Sequence, residues 1–172
     1  FHSITRYLNK RNINFESVNT SKDVFDKNDT ILIPGVGTFA EGCSFLDETG
    51  LNHLIRQHGL NGGSIIGICL GMQLLLEKSE ESPGYEGIGL ISGTCKKMPK
   101  HETFRIPHIG WNSLLINKNN DLIYNQLWGN TLKSKSDFYF VHSFYCDLSN
   151  ENLISGWIDH PIKRIPASLS SG

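Results

Sequence analysis

The apolar positions of this chain fall into short, dense runs separated by glycine-rich or polar breaks, and their rhythm changes near Glu77. Phe1, Ile4 and Leu8 recur at helical spacing and predict an opening helix. Phe15-Glu16-Ser17-Val18 alternates like a short strand, and Lys22 to Asp29 is a polar connection. Thr30-Ile31-Leu32-Ile33 is compact, β-branched and bounded by turn residues, the pattern of a buried parallel strand. It ends in Pro34-Gly35-Val36-Gly37, a loop too rich in breakers to continue it. Thr38-Phe39-Ala40-Glu41 is a capping box opening a helix through Phe45 and Leu46, which yields at Thr49-Gly50. A further helical piece carries Leu51, Leu54 and Ile55, and Asn61-Gly62-Gly63 turns the chain into the apolar run at Ser64 to Ile68. Met72 to Leu76 then reads as a helix.

The order α-β-α-β-turn-α is the rhythm of a parallel sheet with helices on both faces. Beyond Glu77 come a polar loop with Glu80-Glu81 and Pro83-Gly84, then β-type pieces at Gly89 to Ile91, Thr94-Cys95 and Arg105 to Trp111. Phe138-Tyr139-Phe140-Val141-His142 is the best strand of this half, with Leu153 to Ile158 and Pro166 to Leu169 after it and a polar insertion at Asn117 to Asp121. The fold class expected is α/β: a three-layer parallel sheet flanked by helices, with an antiparallel β excursion in the second half.

Composition narrows the function classes. The 172 residues suit one domain, and 16 basic against 17 acidic side chains point to neither nucleic acid nor a membrane surface as partner. No run reaches membrane-spanning length and no signal-peptide pattern opens the chain, so a cytoplasmic protein is expected. Cys43, Cys69, Cys95 and Cys146 are scattered without metal-ligand spacing, favouring reduced thiols over a disulfide framework or a metal site.

One of these cysteines carries candidate chemistry. Gly67-Ile68-Cys69-Leu70-Gly71 is the cysteine form of the strand–turn–helix nucleophile elbow. A nucleophile at so tight a turn sits in a strained conformation, and side chains two residues either side would collide, which explains Gly67 and Gly71. The start of a helix favours thiolate over thiol at Cys69, and the Leu70 N–H would face the oxygen of an attacked carbonyl. The plainer reading of a lone cysteine between glycines is a small buried hydrophobe. The second Gly-rich loop, Pro34 to Gly37, also follows a strand's carboxyl end, where open α/β sheets bind ligands.

Together with Ser79-Glu80-Glu81-Ser82, Pro107-His108-Ile109-Gly110-Trp111-Asn112 and Phe138 to Ser143, these motifs span nearly the whole chain. The sequence resembles class I (triad-type) glutamine amidotransferases, a flavodoxin-like family. Within it the chain is most similar to the glutaminase subunits of imidazole glycerol phosphate synthases. The resemblance implies that Cys69 attacks the side-chain amide of L-glutamine, releasing ammonia and leaving a glutamyl thioester. It gives Gly35, Val36, Gly37 and Leu70 to the oxyanion hole, and Gln73, Glu81 and Ser143 to substrate binding. Trp111, Asn112 and His108 would form the interface with a (β/α)8 barrel cyclase subunit, as a heterodimer through which ammonia passes. No cofactor and no metal are implied. Two other readings are a paralogous glutaminase serving a sugar amidotransferase in surface-polysaccharide synthesis, and a catalytically silent regulatory homologue.

One departure from the family pattern stands out. The family's base is a histidine in a late His-Pro-Glu motif, and here Asp159-His160-Pro161-Ile162 puts isoleucine where glutamate belongs. The expectation is a single amidotransferase domain over 1–172, lacking the first strand at one end and the His-Pro-Glu strand and last helix at the other, and inactive as it stands. His142, at the end of an apolar strand, reads as a partly buried histidine bonded to backbone or substrate rather than as the base. His2, His53, His58 and His101 read as surface residues.

Overall fold

The structure is a computed structural model, and it describes residues 2–22, 26, 28–116 and 135–171. These form two compact units, Phe1–Leu90 and Ile91–Gly172. The polar insertion expected at Asn117 to Asp121 lies outside the described residues, as does part of the connection from Lys22 to Asp29.

In the first unit the opening helix α1 runs His2–Lys10, with Ile4 and Leu8 half-buried. Residues 15–18 form no strand; a four-residue alternation has nothing to hold it extended without a ladder of hydrogen bonds. Strand β1, Thr30–Gly35, extends past the expected break through Pro34 into Gly35. It pairs in parallel with β2, Ser64–Cys69, in register from Thr30 opposite Ser64 to Gly35 opposite Cys69. Helix α2, Phe39–Glu48, begins at Thr38 with both halves of the capping box formed and buries Phe39, Cys43 and Leu46. Gly50, at φ +71°, separates it from α3, Leu51–Leu60, which buries Leu51, Ile55 and His58. The burial of His58 corrects the surface reading: its ring fills the space that a side chain at Gly63 would need.

Helix α4 is a single turn, Leu70–Leu74, and strand β3, Leu76–Ser79, replaces the helix expected through Leu76. The cause is not local. The carbonyls of Leu74, Leu75 and Leu76 accept from the amides of Ile88, Leu90 and Gly89, at 2.7, 3.0 and 3.2 Å. A continuing helix would have had to offer those same carbonyls to its own next turn.

The second unit is antiparallel, as expected. Strand β4, Ile91–Lys97, pairs with β7, Phe144–Leu148, a strand the hydrophobic pattern did not announce. Strands β5 (His108–Ile116), β6 (Lys135–His142), β8 (Ile154–Ile158) and β9 (Ile165–Leu169) form a sheet in the order β6-β5-β8-β9. A 3-10 turn, Glu151–Leu153, takes the place of the first residue expected in β8. Met98, Tyr145, Ile158 and Ile165 make the core, with Phe104, Ile106 and Phe140 packed against it. Among the described residues no helix is long and apolar enough to cross a membrane.

Candidate active site

Cys69 ends β2 at φ 57° and ψ −115°, a left-handed conformation that a side chain tolerates only at a cost of about 1–3 kcal/mol. The surroundings enforce it. A Cβ on Gly67 would lie 2.7 Å from the Gly71 carbonyl group and the Met72 Cα, and one on Gly71 would run into the Ile33 carbonyl oxygen. Both elbow positions therefore exclude any side chain, as the spacing predicts. The result is a presented sulfur: Cys69 is exposed, whereas Cys43, Cys95 and Cys146 are buried.

The parallel register carries the second loop to the same place. Gly35 is the partner of Cys69 across β1 and β2, and a Cβ on Gly35 would stand 2.8 Å from the Leu70 Cβ and 2.9 Å from the Gly71 nitrogen. The backbone of Gly35 thus lies against the start of α4. Val36 is 89% exposed and Gly37 adopts φ +110°, so the loop turns outward over this edge. Two strand ends, Gly35 of β1 and Cys69 of β2, therefore lie side by side at this edge.

The loop is anchored through the head of α2, whose first three amides are all taken. The Glu81 carboxylate accepts from Phe39 N–H at 2.8 Å, the Ser82 hydroxyl from Ala40 N–H at 3.1 Å, and the Thr38 hydroxyl from Glu41 N–H at 3.3 Å. Glu41 closes the box by accepting from the Thr38 amide and hydroxyl, both at 2.8 Å, and these bonds hold its carboxyl below the usual carboxylate range. Glu81, expected as a substrate contact, is here a helix cap. Ser82, to which the motif reading gave no role of its own, is its neighbour in that task. Gln73 sits half-buried on α4. The shortness of α4 corrects one expectation: a helix of five residues supplies end amides, not the aligned dipole of several turns.

The remaining sequence-predicted residues belong to the second unit. His142 donates from Nδ1 to the Phe144 carbonyl at 3.0 Å, which leaves its Nε2 to accept from His108 Nδ1–H, also at 3.0 Å. Burial pushes both imidazoles down from 6.5, and for His108 the neighbouring His142 and His160 push the same way. Ser143 accepts from Met98 N–H through its carbonyl. His160 is buried, its ring T-shaped to that of Phe104 with ring centroids 4.2 Å apart.

The three residues expected at an interface do not share a face. Trp111 projects with Ile109 on one side of β5, and His108 and Asn112 alternate to the other. Opposite Ile109 and Trp111 on β6 stand Val141 and Tyr139, and the Trp111 and Tyr139 rings meet edge to face at 5.7 Å. All four are more than half exposed: Ile109 58%, Trp111 73%, Tyr139 56% and Val141 56%. Period-two spacing in Phe138 to His142 was the signal that could have added Tyr139 and Val141 to the list. Among the described residues no cluster of His, Cys, Asp or Glu is placed to hold a metal ion.

Comparison with known proteins follows the same lines. Residues 1–162 match the family "Glutamine amidotransferase class-I". The protein named imidazole glycerol phosphate synthase subunit HisH in Bacillus thuringiensis subsp. konkukian is 36% identical over 155 residues, 90% of this chain and 69% of its own. Its namesake in Listeria monocytogenes is 39% identical over 127 residues, 74% of this chain and 58% of its own. A crystal structure of a glutamine amidotransferase superposes with a TM-score of 0.66 at 14% identity, over 91% of this chain and 74% of that one, a likeness of fold. With the strained cysteine elbow, the facing glycine loop and this match over nearly all its length, the chain belongs to the class I glutamine amidotransferase family.

Proposed function

We propose that this chain is the glutaminase subunit of an imidazole glycerol phosphate synthase, hydrolysing L-glutamine to glutamate and ammonia for a cyclase subunit in histidine biosynthesis. The Cys69 thiolate attacks the side-chain carboxamide carbon. The oxygen takes up the negative charge against the amides of Leu70 and the Gly35–Gly37 loop, and as the C–N bond breaks the nitrogen takes the proton that the thiol gave up and leaves as neutral ammonia. Water then cleaves the glutamyl thioester, giving glutamate and restoring the thiol. Gln73 and Glu81 of the first unit hold the glutamine. Ammonia is nucleophilic only when unprotonated, so a closed path to the second subunit keeps it reactive.

The observation that carries this reading is the pairing of Gly35 with an exposed Cys69 held at positive φ. A presented thiol whose strand partner opens a glycine-rich loop supports the reading that this loop supplies backbone donors. For the partner, the relatives' names specify a subunit, and the exposed Ile109–Trp111–Tyr139–Val141 face is an apolar surface of the kind that docks on another chain. In the complete reading frame, assayed with the cyclase subunit, Cys69→Ser should abolish ammonia release from glutamine and leave subunit association intact. Ammonia release at the wild-type rate would remove Cys69 from the mechanism.

A further inference from the structure

Cys95 and Cys146 are far apart in the sequence and directly opposite each other across β4 and β7. The ladder fixes which kind of pair they form. Met98 N–H donates to the Ser143 carbonyl at 2.9 Å, and Ser149 N–H to the Ser92 carbonyl at 3.1 Å. Both are pairs in the same register, and hydrogen-bonded pairs in an antiparallel ladder alternate with non-hydrogen-bonded ones. Counting inward from either end makes Cys95–Cys146 a non-hydrogen-bonded pair. Opposed Cα atoms there come within about 4.5 Å, inside the roughly 4.4–6.8 Å span that a disulfide bridges. Both side chains are 0% exposed, and the two thiols are hydrogen-bonded to each other.

From this juxtaposition we infer that Cys95 and Cys146 are an oxidisable dithiol, a modification site that hydrogen peroxide converts to a cross-strand disulfide. When the strands part locally, one thiolate attacks peroxide oxygen, breaking the O–O bond and giving a sulfenic acid and hydroxide. The second sulfur then displaces the sulfenic hydroxyl, which leaves as water, and the S–S bond forms. Two electrons from the two sulfurs reduce one peroxide to two waters, so the step balances. In the closed ladder the pair is held as thiols. The hydrogen bond from Cys95, and then burial, push the Cys146 thiol well above its ordinary value. Oxidation therefore follows strand opening, and the exposed Cys69 reacts first. Once formed, the bond closes a loop containing the whole β5–β6 hairpin.

The test is a peptide map. Cys69 is blocked with iodoacetamide in the folded protein, peroxide is added, remaining thiols are blocked in denaturant, and the digest is read without reductant. The expected product joins the Cys95 and Cys146 peptides, lighter than their sum by two hydrogens, and dithiothreitol separates them. The melting temperature should rise on the order of 5 °C on oxidation. Cys95→Ser should lose the joined product, and if that variant does not fold, the wild-type map alone decides. Recovery of both cysteines as separate alkylated thiols or sulfinic acids, or of either one joined to Cys43, overturns the inference.

Discussion

One methyl group decides whether the elbow can close. Gly71 packs its Cα against the Ile33 carbonyl, and an added Cβ would have to displace backbone rather than a side chain. Gly71→Ala should therefore cost about 3 kcal/mol, the upper part of the usual range for overpacking. A urea titration monitored by tryptophan fluorescence measures it, with Gly62→Ala as the comparison. At Gly62 the φ is also positive, but nothing lies within 4 Å, so only the backbone strain applies. Equal midpoints for the two variants would mean that the Ile33 carbonyl yields and that the elbow glycine is not sterically required. The strain at Cys69 has the same origin: the glycines on either side let the backbone approach so closely that the thiol has one direction left, outward.

At the scale of elements, β5 and β6 are joined not only by their ladder but by the His108–His142 hydrogen bond. Both imidazoles lie below the ordinary 6.5 in the folded state, His142 through burial and His108 through burial and the histidines around it. The unfolded chain then binds more protons in the window below 6.5, so this contribution to stability is present above it and lost as the pH falls. His160, lowered by burial in the same core, adds to the same slope, whereas Asp147, lowered by Lys96 and Lys163, acts only in the acid range below carboxylate values. The urea midpoint should drop between about pH 7 and about pH 5.5, and less so in the His108→Gln, His142→Gln double variant. An equal drop in both proteins would place the titration elsewhere. What was legible in the chain at this scale was whatever is decided over a few residues. The Thr38–Glu41 box, the β-branched run at Thr30 to Ile33 and the aromatic strand at Phe138 to His142 are of that kind. What was not legible is decided at a distance. Residues 87–90 cut α4 short, Gly63 makes room for His58, and β7 follows β6 with no glycine or proline between them. The candidate site divides in the same way. The elbow was readable from its own five residues, while the capping duty of Glu81 and the opposed Cys95 and Cys146 depend on residues brought from elsewhere.

For the molecule as a whole, the β5–β6 hairpin sets four large apolar side chains on one exposed face, with the Ser113 hydroxyl donating to Asp137 at its far end at 2.6 Å. An aromatic pair at the centre of such a patch has the composition of an interface anchor. If the proposed cyclase partner docks on this face, Trp111→Ala should weaken that association by about 2 kcal/mol or more, read as a Kd by titration calorimetry, with the melting temperature of the free chain little changed. An unchanged Kd together with a lowered melting temperature would make Trp111 a stability residue instead. Across the first unit, a single carboxylate spans 42 positions of sequence to hold the opening amide of α2. That helix begins directly after the loop that continues from Gly35, the strand partner of Cys69. Any cation that draws the Glu81 carboxylate away from the Phe39 amide competes with that tether, and the segment ahead of α2 then loses its hold.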